Sequence, residues 1–80
     1  MGKSVVLSKR AYEWLLRHRF MSEEVIIGIV RTHPCRSYRD AQLFDVTFRR
    51  KRNHGWVSVT ISVHETSERL LVKKIHSRRA

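Results

Sequence analysis

His54 and His76, Lys74, and Arg49 and Arg78 are the side chains best suited to chemistry in this chain, and together they match the needs of metal-free phosphodiester cleavage. Cutting RNA through its own 2′-hydroxyl requires a base to take that proton, an acid to protonate the leaving oxygen, and cations to bear the charge growing on the phosphate. Histidine suits the first two roles near neutral pH, and lysine can replace it when its pKa is lowered. Arginine suits the third through its bidentate fork. Trp56, beside them, offers a face on which a base can stack. Each residue also has a plainer role taken singly: Trp56 as packing at a strand edge, His54 as a turn residue, His76 as surface. Their convergence makes His76, Arg78, Lys74 and His54 the candidate catalytic set. Arg49, Arg50, Lys51, Arg52, Trp56, Lys73 and Arg79 are the candidate nucleic-acid contacts.

Other chemistries find less support. His33 and Cys35 are two apart, and His64-Glu65-Thr66-Ser67-Glu68 resembles a zinc-protease helix only superficially, because it ends in Glu and sits in a turn-like setting. Neither supplies a third ligand at a workable spacing, so no metal or other cofactor is expected. Gly2, Gly28 and Gly55 are isolated, which excludes a glycine-rich phosphate loop. No serine or cysteine nucleophile is recognisable beside a base.

The charge balance names the kind of partner. Lysine and arginine number 17 against 7 acids, a net charge of +10 in 80 residues, with cations concentrated in Arg49–Arg52 and in the tail from Lys73 to Arg79. Solubility asks only about 2 to 8 charges of a small domain. The excess addresses the chain to a polyanion, with nucleic acid the first candidate. Eighty residues make a single domain spanning 1–80, near the size at which one core is self-sufficient, and burying only about 60–65% of the unfolded surface. A homodimer or another partner adding apolar contact would help such a chain. Cys35 is the one cysteine, so no intrachain disulfide forms. The longest apolar run, Val25 to Val30, falls far short of the ~20 residues of a membrane helix. With no signal-like segment after Met1, the expected location is the cytoplasm and no membrane partner is expected.

The elements that must position these residues change character midway. Ser8 is a candidate N-cap with Leu7 and Tyr12 as a hydrophobic staple, and Ala11, Trp14 and Leu15 follow at helical spacing, predicting a helix over about 9–19. Ser22 repeats the device with Met21 and Ile26 as the staple pair and Glu23 and Glu24 in the first turn, where carboxylates meet the positive end of the helix dipole. Val25, Ile26, Ile29 and Val30 form its apolar stripe, Gly28 suggests close packing, and Thr32-His33-Pro34 ends it. Beyond Pro34 the period becomes two. Phe44, Val46 and Phe48 alternate with polar residues, as do Val57, Val59, Ile61 and Val63, and a third run spans Leu70 to His76. The expected fold is α+β: two N-terminal helices on one face of a three- or four-stranded antiparallel sheet, Cys35–Asp40 being a further strand or a loop. Its expected core is Leu15, Val25, Ile29, Phe44, Val46, Phe48, Val57, Val59, Ile61 and Val63.

Loop lengths suggest a register. Pairing Phe48 with Val57 and Phe44 with Ile61 leaves a basic loop at 50–55. Pairing Val63 with Leu70, and so Val72 with Ile61 and His76 with Val57, brings His76 and Arg78 to that loop, beside Arg49, His54 and Trp56. It also puts His64 seven residues, or about 23 Å, from His76, too far to act as its partner. The last strand carries Leu70, Leu71, Val72 and Ile75 on both phases, and either phase turns a lysine toward the core.

The stretch Ser8-Lys9-Arg10-Ala11, then Arg17-His18-Arg19-Phe20-Met21-Ser22-Glu23-Glu24-Val25, then His33-Pro34 and a β meander, resembles a family of short proteins grouped with the RelE/ParE and BrnT-like toxins of toxin–antitoxin modules. The resemblance covers about 70 residues. That family usually opens its first helix with His-Ala, where this chain has Arg10-Ala11. The ending Val72 to Arg79 is similar to the final strand of such toxins, where a basic residue closes the RNA-cleaving site, and this implies a role for Arg78. The arginine that RelE-like nucleases carry on the preceding strand has no counterpart among Val57 to Val63. The resemblance implies a RelE/ParE-like fold, RNA or the ribosome as target, and a small acidic antitoxin covering the basic face. Two functions are therefore expected in competition: a toxin-like, metal-independent mRNA endoribonuclease, or a non-catalytic nucleic-acid-binding module using the same face.

Overall fold

Two helices pack on one face of a five-stranded sheet in a computed structural model that describes residues 3–33 and 35–79. In chain order the elements are β1 (Ser4–Leu7), α1 (Lys9–Arg17), α2 (Glu23–Thr32), β2 (Ser37–Tyr38), β3 (Leu43–Arg52), β4 (Gly55–Glu65) and β5 (Arg69–Arg79). The sheet order is β1-β5-β4-β3-β2, with β1 parallel to β5 and the other pairs antiparallel. The sheet is thus mixed and five-stranded rather than antiparallel with three or four. The extra strand is β1, four residues long, which pairs with a segment more than 60 positions away (Ser4 with Arg69) and so leaves no local pattern to read.

Both serine caps form as their sequences suggest. Ser8 and Ser22 sit in extended backbone, and their hydroxyl oxygens accept from the N–H groups of Ala11 at 3.2 Å and Val25 at 3.3 Å. Met21 and Ile26 are buried as a staple pair, whereas Tyr12 is exposed and donates its hydroxyl to Glu23 at 2.7 Å. The first helix stops at Arg17, two residues before the predicted end. The second ends at Thr32, with His33 donating its N–H to the Ile29 carbonyl, and Pro34 lies outside the described residues. Gly28 meets nothing within 4 Å where a Cβ would stand, so the expectation of close packing there is wrong: it lies on the solvent side of α2.

Phe44, Val46, Val57, Val59, Ile61 and Val63 are buried as expected, while Leu15, Val25, Ile29 and Phe48 are half-buried at the core margin. Ala11, Trp14, Ile26 and Val30 are the helix residues at the centre instead. These four belong to the expected apolar stripes, so the stripes stand, and only the deepest line within each differs from the expected core residues.

The strand register differs by two residues between β3 and β4. Phe44 faces Val63, Val46 faces Ile61, Phe48 faces Val59, and pairing continues to Arg52 and Gly55. A slip of two keeps every side chain on its face, so alternation cannot distinguish the two registers. The turn decides: Asn53 takes a left-handed backbone, φ 52°, which Asn tolerates, and only Asn53 and His54 remain outside the ladder. The six-residue basic loop at 50–55 does not exist.

A bulge resolves the phase of β5. Ser62 pairs with Lys74 but Val63 pairs with Val72, leaving Lys73 as the extra residue. Leu70, Val72 and Ile75 all reach the core, and both lysines stay in solvent. The same shift replaces the expected partners of the last strand: Ile61 faces Ile75, His76 faces Thr60 rather than Val57, and Arg79 faces Val57. His64 is then four residues, about 13 Å, from the level of His76 instead of seven.

Ser8 clamps this bulge. Its hydroxyl donates to the Lys73 carbonyl at 2.7 Å and its backbone N–H donates to the Val72 carbonyl at 2.9 Å. Ser8→Ala removes a cap and a clamp together, and should cost about 1–2 kcal/mol of stability, read as a lowered denaturant midpoint. At the far end of the sheet, Lys3 at 2.9 Å, then Tyr38 and Arg36, hold the Glu65 carboxyl below its ordinary pKa against the opposing effect of burial. A depressed carboxylate contributes stability that is present above its unfolded pKa and lost as pH falls through the lower folded value. Glu65→Gln should flatten that acid limb of a stability-versus-pH curve.

Candidate nucleic-acid interface

Alternation gives the sheet one covered face and one bare face. Across the bare face run cross-strand rows: Lys51 with Trp56; Arg49, Ser58 and Arg78; Thr47, Thr60 and His76; Asp45, Ser62 and Lys74; Leu43, His64 and Leu71. Lys74, His76 and Arg78 are exposed and occur at two-residue steps on the same side of β5, about 6.6 Å apart. The bulge creates this alignment, since without its extra residue Ile75 would lie outside and these three would face the helices. Arg49 lies across Ser58 from Arg78, and Trp56, 56% exposed, stands opposite Lys51 at the hairpin end. Thr47 and Thr60 join their hydroxyls at 3.1 Å beside His76.

The other predicted site residues are elsewhere. His54 is in the hairpin turn, so the expected meeting of His54 with His76 does not occur: His76 is level with Thr60, four residues or about 13 Å along β4 from Trp56. Lys73 sits exposed in the bulge. Arg50 and Arg79 flank Val57 on the phase that faces the helices. Arg52 places its guanidinium 4.9 Å above the Phe20 ring.

Charge is segregated along a sheet whose domain is 40 Å long and about half as wide. Ion pairs among the described residues occur at one end: Lys3 and Arg36 with Glu65, and Arg39 with Asp45. Asp40, at the same end, accepts the N–H groups of Gln42 and Leu43, which together hold its carboxyl below the ordinary range. Arg49, Arg50, Lys51, Arg52, Lys73, Lys74, Arg78 and Arg79 form no ion pair among the described residues. Like charges gathered without counter-charges raise a positive potential that attracts a polyanion.

A cleft of about 860 Å³ opens at this basic end, lined by His18, the 52–57 hairpin segment, Ser77, Arg78 and Arg79. His18 is the residue that sequence reasoning missed. Its spacing of four from Trp14 at a helix end was the available signal: the two rings stack at 4.2 Å, nearly parallel. Among the described residues no three His, Cys, Asp or Glu side chains converge on a metal-sized site, and no helix is long and apolar enough to cross a membrane.

Compared with protein families, curated proteins and solved structures, the chain matches none.

If the basic end binds RNA, affinity should fall steeply with salt. Replacing Arg49, Arg50, Lys51 and Arg52 together by Ala should flatten the plot of log affinity against log salt, by about 0.7 for each single-strand phosphate that these cations no longer neutralise. Filter binding or anisotropy across a salt series measures it, and an unchanged slope would leave the block as solubilising surface.

Proposed function

We propose that this chain is an RNA-binding protein of the RelE/ParE-toxin type whose bare sheet face holds the RNA, with Lys74, His76 and Arg78 as a metal-independent phosphodiester-cleaving row. The observation that carries this reading is the bulge-set alignment of those three residue types on an uncovered face, running from the row of Asp45 at Lys74 toward the end that lacks ion pairs at Arg78. The order of the elements, two helices ahead of an antiparallel meander whose last strand is basic, supports the toxin type. In this arrangement His76 takes the 2′-hydroxyl proton, Arg78 bears the charge of the phosphorane, and Lys74 protonates the departing 5′-oxygen. Arg49 and Lys51 hold flanking phosphates, and Trp56 stacks a neighbouring base. RNA, free or on the ribosome, is the target, and a small acidic antitoxin is the inhibitor that the same potential would attract.

A second reading, a binding module without catalysis, is favoured by one observation: the row contains a single histidine, His54 lying at the turn. The two readings part in a cleavage assay run with a chelator present, with and without ribosomes. Arg78→Ala should lower the cleavage rate about 100-fold or more, the scale of losing one preorganised donor, while leaving the fold intact. His76→Ala should remove the histidine limb of the pH–rate profile. RNA binding without cleavage by the wild type would establish the module.

A further inference from the structure

The cleft at the basic end is built differently from the open face. Two of its polar side chains, Arg52 and His18, rest against aromatic rings before any ligand arrives. Arg52 places its guanidinium carbon 4.9 Å from the centre of the Phe20 ring, a cation–π contact that consumes none of its N–H donors. Among the described residues, arginine side chains that hydrogen-bond to protein acceptors are Arg36 and Arg39, so the Arg52 donors are unspent. His18 is stacked on Trp14, with Phe20 edge-on to its ring, and its Nδ1 lies 2.8 Å from the Trp14 carbonyl oxygen. A carbonyl only accepts, so Nδ1 carries a proton, and Nε2 donates to an anionic ligand when it is protonated as well.

Arg78 and Arg79 add further cations to the rim, His54 lies beside them, and the lining contains no carboxylate. The volume, about 860 Å³, is in the ~300–1,000 Å³ range of small-ligand sites. Three arginines lining an acid-free cavity suit a compact, highly charged anion with several acceptor oxygens. A phosphate monoester carries about −1.5 to −2 charge at pH 7 and three such oxygens, where a backbone diester carries a single charge and two. Trp56 at the rim supplies a face for an attached base.

We infer that this cleft binds a nucleoside phosphate monoester, either the phosphorylated end of an RNA strand or a free mononucleotide. The strand-end source rests on the reading of the open face as an RNA surface, but Lys74 and His76 do not line the cleft, so the two sites can fail separately.

The test compares short RNAs identical except for a 5′-phosphate, a 3′-phosphate or hydroxyl ends, together with adenosine and 5′-AMP, in equilibrium titrations of the full chain. A terminal phosphate should tighten binding about tenfold or more, the scale of a charge-assisted hydrogen bond. In Arg52→Ala, and in His18→Asn, which keeps a donor near the Nδ1 position but lacks Nε2, that increment should shrink to about threefold or less. Lys74→Ala should weaken all the RNAs while preserving the increment. If 5′-AMP outbinds adenosine by the same factor, the free nucleotide is a sufficient ligand; if only the RNA ends show the increment, the strand end is the source. Equal binding of phosphorylated and hydroxyl ligands, or an increment that survives in Arg52→Ala and His18→Asn, overturns the proposal. Failure of every RNA to bind, with 5′-AMP still preferred over adenosine, would overturn the open-face reading and leave the cleft standing.

Discussion

One extra residue in β5 sets the chemistry of both faces of this sheet. Before Lys73, the residues of β5 that reach the core are Leu70 and Val72; after it they are Ile75 and, at the margin, Ser77. An unbroken ladder would bury a lysine in either phase, Lys74 with Ile75 left in water or Lys73 with Leu70 and Val72 left in water, and burying an unpaired ammonium costs far more than any side chain here could return. The bulge avoids that choice, and Ser8 makes it rigid from the other direction by bonding the carbonyls of both Val72 and Lys73 while capping α1. The entry of the first helix and the outward row Lys74, His76, Arg78 are therefore fixed by the same side chain.

The second constraint is the way the cations are divided. Seven acids cannot answer 17 bases, and on the sheet they are not spread to soften the excess. Glu65 alone receives Lys3, Tyr38 and Arg36, while Arg36 also stacks 4.5 Å above Phe44 and donates to the Val30 carbonyl at the end of α2. Arginines at this end act as struts between layers. At the opposite end the repulsion among Arg49–Arg52 and Arg78–Arg79 is left unrelieved among the described residues, apart from screening and the contact of Arg52 with Phe20. Such a concentration weakens the compact state, and an arriving polyanion would relieve it, so binding and stability are coupled in sign.

How far the sequence revealed this depended on range. The helix caps at Ser8 and Ser22, the alternation in β3 and β4 and the core they share are local signals, and they were legible. The two-residue slip at the first hairpin was not, because both registers bury the same faces and only the left-handed preference of Asn53 separates them. β1 was hidden by its length and by its parallel partner at the other end of the chain. Leu70, Leu71, Val72 and Ile75 displayed the bulge as a conflict of phase, which is how a bulge looks in one dimension. At the candidate site, the residue types on β5 were readable, but their neighbours were not: His54 and His76 were brought together by a register that the turn does not allow.

Register has a consequence for mechanism that composition lacks. With His76 level with Thr60, the proposed catalytic row runs up the bare face toward Arg49, and the hairpin turn with His54 is left to border the cleft instead. Arg78 borders both surfaces. A strand of RNA lying along the rows of the bare face would thus pass Arg78 before its end could reach Arg52 and His18. On the proposed readings Arg78, like Trp56, is shared by the two surfaces, so a substitution there would act on both sites, whereas Lys74 and Arg52 would each belong to one.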